Sequence, residues 1–164
     1  MNPRAVNPET FVRGAEKLTA IFGYWPTFHD ASVIAVEVSD ADGENCFANT
    51  VQLVVMAHEM TDEVDEKGYF KLQKRTAVIL RFHDVTEAEL TRFGNSNVLF
   101  GLELEPGPTG IHVVLDSAMG GDMAGTLRCK SIEVIGTRPC PAETGPWLDD
   151  FLAEYHFPNS REIS

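Results

Sequence analysis

The chain has 164 residues, 43% of them hydrophobic and 23% charged, and a formal net charge of -12. That suits one domain over residues 1–164, fraying at 1–7 and 158–164, and excludes wholesale disorder. No apolar run approaches the roughly 20 residues of a membrane span, no apolar segment follows Met1-Asn2-Pro3-Arg4 as a secretory signal would require, and Cys46, Cys129 and Cys140 form no CxxC pair, so a cytoplasmic chain with reduced thiols is expected.

Asn7-Pro8-Glu9-Thr10 opens a helix, with Asn7 as cap and Pro8 at the first helical position. Phe11, Ala15, Leu18 and Phe22 make its apolar stripe, and Gly23 stops it. In Trp25-Pro26-Thr27-Phe28-His29-Asp30-Ala31, Pro26 holds Trp25 extended. Ala31–Val38 then alternates as a half-buried strand. An acidic loop, Asp40–Asn45, leads to a second strand, Val51–His58, and Thr61–Gly68 reads as another acidic loop. A long strand from Tyr69 to Phe82 is polar early, so its first half should leave the core as a ribbon.

Asp84 and Glu87 make a capping-box pattern that predicts a short helix over Thr86–Phe93. Val98–Leu104 and Ile111–Asp116 pair as a hairpin across a turn rich in proline and glycine. In the last strand, Thr126–Ile135, Leu127 and Cys129 share one parity while Ile132 and Val134 share the other, which a bulge near Lys130-Ser131 would reconcile. A final helix carries Trp147, Leu148, Phe151, Leu152 and Tyr155 on one face. The fold class is therefore α+β: an antiparallel, meander-like sheet of about six strands, with N- and C-terminal helices packed on one face and a short helix between strands three and four.

Between Leu18 and Glu66 there is no Lys or Arg, while the acids include Asp40, Asp42 and Glu44 in one loop and Asp62, Glu63, Asp65 and Glu66 in the next. Such a surface repels nucleic-acid phosphates and anionic membrane and attracts basic partners. Solvation alone also accounts for these acids. As a functional reading they are the partner-binding candidates.

Phe28-His29-Asp30, His58 and Phe82-His83-Asp84 supply imidazole and carboxylate, the groups of a metal site or a general base. Neighbours on a strand point to opposite faces, and Asp84 reads as a helix cap. A small metal-dependent enzyme using His29, Asp30, His58, His83 and Asp84 stays open as an alternative, as does a homodimeric interaction domain with an exposed strand edge. No phosphate-binding loop, nucleophile elbow or basic patch is present, so the primary reading is non-enzymatic, without cofactor, nucleic acid or membrane.

Trp25-Pro26-Thr27-Phe28-His29-Asp30-Ala31, followed at once by a strand, resembles the signature of the bacterial immunity protein 50 family. Cys129-Lys130-Ser131-Ile132-Glu133-Val134 resembles that family's closing strand. The resemblance implies a cytoplasmic binding protein that neutralises a cognate toxin in a polymorphic toxin system, and it transfers no catalytic residue. In that setting the acids would meet a basic toxin surface. Trp25, Pro26, Phe28, His29 and Asp30 serve as architecture, with Trp25 and Phe28 as core anchors.

Overall fold

The computed structural model describes residues 6–39, 49–91, 97–117, 123–140 and 146–154. Among these are nine strands and two helices: β1 (Val12–Arg13), α1 (Glu16–Phe22), β2 (Ser32–Ser39), β3 (Thr50–Val64), β4 (Phe70–His83), β5 (Glu87–Thr91), β6 (Leu99–Gly107), β7 (Gly110–Ser117), β8 (Ala124–Cys129), β9 (Ser131–Pro139) and α2 (Pro146–Glu154). The fold is β-rich, with a five-stranded sheet ordered β1-β9-β4-β3-β2 and a four-stranded sheet ordered β5-β8-β7-β6. It is not the single six-stranded α+β sheet that the sequence predicts.

Each departure has a local cause. Asn7 accepts the Glu9 N–H as expected, but it caps only a short 3-10 turn, Pro8–Thr10. The predicted long helix then breaks at Gly14, which takes φ +75° and brings its backbone against β9. A Cβ there would lie 2.5 Å from the Val134 carbonyl oxygen, so only glycine lets Val12-Arg13 pair parallel to Ile132-Glu133 before α1 begins. Gly23, at φ +84°, ends α1 as anticipated.

The short helix predicted after Asp84 is strand β5. Asp84 takes φ +53°, and the Thr86 N–H donates to the Arg128 carbonyl at 3.0 Å, which commits the chain to pairing with β8. A segment this short has no helical stability of its own, so tertiary pairing overrides the capping signature.

The parity change expected as a bulge near Lys130 is instead a corner. β4 passes into β5 and β8 into β9 at the same place, where the Lys130 N–H donates to the His83 carbonyl at 3.0 Å. One antiparallel ribbon thus crosses from the first sheet to the second, as strands do at the corners of orthogonal sandwiches. Leu127 and Cys129 face the core from one sheet, and Ile132 and Val134 face it from the other.

The main core lies between the sheets and takes in Leu18 and Phe22 of α1 together with Leu53, Leu80, Phe82 and Leu115. A second cluster, Val54, Ala77, Ile79 and Phe151 with Trp147 packed against it, lies on the other face of the five-stranded sheet under α2. The two helices therefore serve opposite faces, not one. Burial on both sides explains why Val51–Val55 reads as a continuous apolar run around Gln52, whose side-chain oxygen accepts from Arg81 Nε at 2.8 Å. In β2 a register shift between Val33 and Ala35 breaks the expected alternation and leaves Val38 exposed.

Candidate partner-binding surface

The Trp25–Ala31 junction joins the two sheets. The Asp30 N–H donates to the Leu99 carbonyl, the Leu99 N–H to the Ala31 carbonyl and the Val33 N–H to the Asn97 carbonyl, each at 2.8 Å, so the start of β2 pairs with the start of β6. Phe28 and Asp30 both sit at φ +61°, a left-handed conformation that costs a side-chain-bearing residue about 1–2 kcal/mol. Packing and hydrogen bonding offset it: Phe28 is only 2% exposed, meets Trp25 edge-on at 5.8 Å between ring centroids, and its carbonyl accepts from the Ala31 N–H. His29, turned outward, donates from Nδ1–H to the Phe100 carbonyl at 2.8 Å and meets the Phe100 ring edge-on at 5.0 Å. Trp25 is half-buried, because it also forms a wall of a groove of about 510 Å³ shared with Pro26, His29, Phe100, Glu103 and Asp116.

Of the imidazole and carboxylate residues, the fold gathers some and separates others. His29 Nε2 lies 3.4 Å from Asp30 Oδ2. His58 shares their neighbourhood: burial lowers its pKa, Asp30 opposes that, and Arg75 and His29 add to it. His83 and Asp84 lie at the other end of the sheet, since Ser32 pairs with Met56 on β3 whereas Phe82 pairs with Val51. There His83 Nε2 is 3.0 Å from Glu133 Oε1, which also meets Arg13 at 3.5 Å. Among the described residues no three His, Cys, Asp or Glu side chains are placed to hold a metal ion. Burial, with Asp84 adding to it, pushes the Cys129 thiol up to about 12, and burial also raises that of Cys140.

Asp40, Asp42 and Glu44 lie outside the described residues. The other four acids are not on a solvated loop. Asp62 and Glu63 belong to β3, and Asp65 and Glu66 form its tight turn into β4. The Asp65 carboxylate is occupied in building that turn, accepting the N–H groups of Lys67 at 2.8 Å and Tyr69 at 3.0 Å. Past Met56, which pairs with Ser32, and before Arg75, whose carbonyl accepts from the Cys140 N–H, β3 and β4 pair with no further strand among the described residues and project as a two-stranded arm. The hairpin sets cations opposite the acids: Lys71 meets Glu63 at 3.9 Å and Lys74 meets Glu59 at 3.2 Å. The all-acidic run of the sequence is thus partly neutralised in space.

The arm also carries what charge reading misses. Met60 pairs with Leu72 and Val64 with Phe70, and all four share one face at 49%, 43%, 53% and 53% exposure. The signal was present as large apolar residues at two-residue spacing within a polar ribbon, Phe70 and Leu72 above all. At the base of the arm, Glu59 accepts from the Tyr24 hydroxyl and from Gln73 Nε2, fastening the arm to the junction.

A family model described as Immunity protein 50 matches residues 14–140. The chain belongs to the Immunity protein 50 family. The matched span runs from the Gly14 break to the end of β9, so the family's extent takes in the junction, the arm and both sheets apart from β1, and leaves out α2. Comparisons with curated proteins and with solved structures give no match. No helix among the described residues is long and apolar enough to cross a membrane.

Proposed function

We propose that this member of the Immunity protein 50 family is a non-enzymatic cytoplasmic protein that neutralises a cognate toxin by direct binding. The observation that carries this is the family membership itself. The β3–β4 arm supplies the contact: the Met60, Val64, Phe70 and Leu72 face is an exposed apolar patch of the kind that marks protein interfaces. Asp62, Glu63, Asp65 and Glu66 border it, and their charge, with that of Asp40, Asp42 and Glu44 elsewhere in the sequence, favours a basic partner.

The test is co-expression with any toxin domain that the gene's neighbourhood encodes. The wild-type chain should restore growth and co-purify with the toxin. A Phe70→Ser, Leu72→Ser double variant should keep the native circular dichroism spectrum and lose protection. Failure of the wild type to protect or co-purify rejects the function. Full protection by the folded double variant rejects the arm as the contact. Light scattering of the free protein distinguishes an arm that instead pairs two copies.

A further inference from the structure

We propose that the groove beside the Trp25–His29 junction receives an arginine side chain from a protein partner. This deepens the binding reading above and rests on it only for the identity of the partner. The register of β6 and β7 builds the site. Gly101 lies opposite Asp116, and Glu103 is two residues further along β6, so the two carboxylates share one face as diagonal cross-strand neighbours. Such neighbours stand about 7–8 Å apart, a gap a guanidinium can bridge. A register shift between Leu99 and Gly101 places Phe100 on the outer face too, while Leu99 and Leu102 stay buried in the core. Phe100 is accordingly 57% exposed despite its contact with His29.

The floor between these groups is open. Gly101 adds no side chain, and a Cβ there would meet nothing within 4 Å. None of the residues lining the groove is Lys or Arg. Neither Glu103 nor Asp116 has an ion pair or hydrogen bond from its side chain among the described residues, in contrast to the arm, where Glu59 and Glu63 have lysine partners. His29 makes no contact with either carboxylate, since Nδ1–H is engaged by the Phe100 carbonyl and Nε2 faces Asp30. Two aromatic walls and two free carboxylates around an open floor suit a planar cation. Arginine fits better than lysine, because its guanidinium both stacks on aromatic rings and forks to carboxylates.

The probe is acetyl-Gly-Arg-Gly-amide, titrated into the full chain and followed by amide and indole NMR shifts, with the citrulline peptide as neutral isostere. The arginine peptide should give saturable shifts at the Gly101 amide and the Trp25 indole, and the citrulline peptide should not. Asp116→Asn and Glu103→Gln should each weaken binding at least five-fold. Gly101→Leu, which fills the floor without changing charge, should abolish it, and Asp150→Asn on the exposed face of α2 should leave it unchanged. Equal shifts from citrulline, no shifts from arginine, or indifference to the groove variants overturns the proposal. Because no toxin is present, that result leaves the arm's contact standing, and an arm that fails to protect leaves the groove standing.

Discussion

At the scale of single residues, Phe28 holds the junction. Its ring lies in the core while its backbone is left-handed, so truncation loses the packing and keeps the strain. Phe28→Ala should cost about 3–5 kcal/mol in urea unfolding. Trp25→Ala should cost less, about 1–3 kcal/mol, because part of Trp25 faces the groove and stays in contact with water. A Trp25 variant as damaged as the Phe28 one would place Trp25 in the core instead. His58 gives the pH arm of the same region. Burial holds its native pKa below the ordinary 6.5, so below that value the unfolded chain takes up protons that the native chain resists. Stability should therefore fall as pH drops from 6.5 towards the lower native value and level off beneath it, and His58→Gln should flatten that slope. What the sequence shows here is the chemistry of Trp25–Ala31, with its architectural weight. The left-handed turns at Phe28 and Asp30 leave no local signature beyond the tolerance of aspartate for that region, because tertiary pairing with Leu99 imposes them.

At the scale of elements, the signals that held were those set by neighbours in sequence: the Asn7 cap, the Gly23 stop, the β2 strand, the β6–β7 hairpin and the ribbon that leaves the core. Those that failed were decided by distant strands. Phe11, Ala15, Leu18 and Phe22 keep helical spacing, yet β9 captures Val12 and Arg13, and Gly14 makes the capture sterically feasible. Gly14→Ala should thus destabilise by about 2 kcal/mol or more, which a thermal or urea midpoint would register. The arm's acids read as a loop because their lysine partners come later in the chain. Its fastening is testable through Glu59, whose pKa is lowered by hydrogen bonds from Tyr24, Gln73 and Lys74, while the Tyr24 phenol is raised by the bond it donates to Glu59. The sign follows from both. The Glu59 contribution is present above its ordinary 4.5 and fades as pH falls through the lower native value, and the Tyr24 contribution fades as pH climbs past 10. Glu59→Gln should weaken the fold between those limits and match wild type in strong acid. A constant difference at every pH would mean that the clamp is not ionic.

At the scale of the whole molecule, two sheets share one kinked ribbon on one side and the β2–β6 seam on the other, leaving the arm free to project from a closed core. A two-stranded ribbon is marginal alone in water, so the exposed apolar face beyond the Glu59 fastening adds little to the stability of the scaffold. The charge complements this division of labour. The net -12 acts at a distance, whereas the apolar face acts only on contact. The two should separate in kinetics. Raising salt from about 0.05 M to about 0.5 M shortens the screening length several-fold, and association with the proposed toxin partner should slow by about ten-fold or more with little change in dissociation. Phe70→Ser should do the reverse, speeding dissociation while leaving association and its salt dependence intact. Association that ignores salt would assign the acids to solvation alone, and a Phe70 variant that slows association instead would place the aromatic in the encounter rather than in the bound complex.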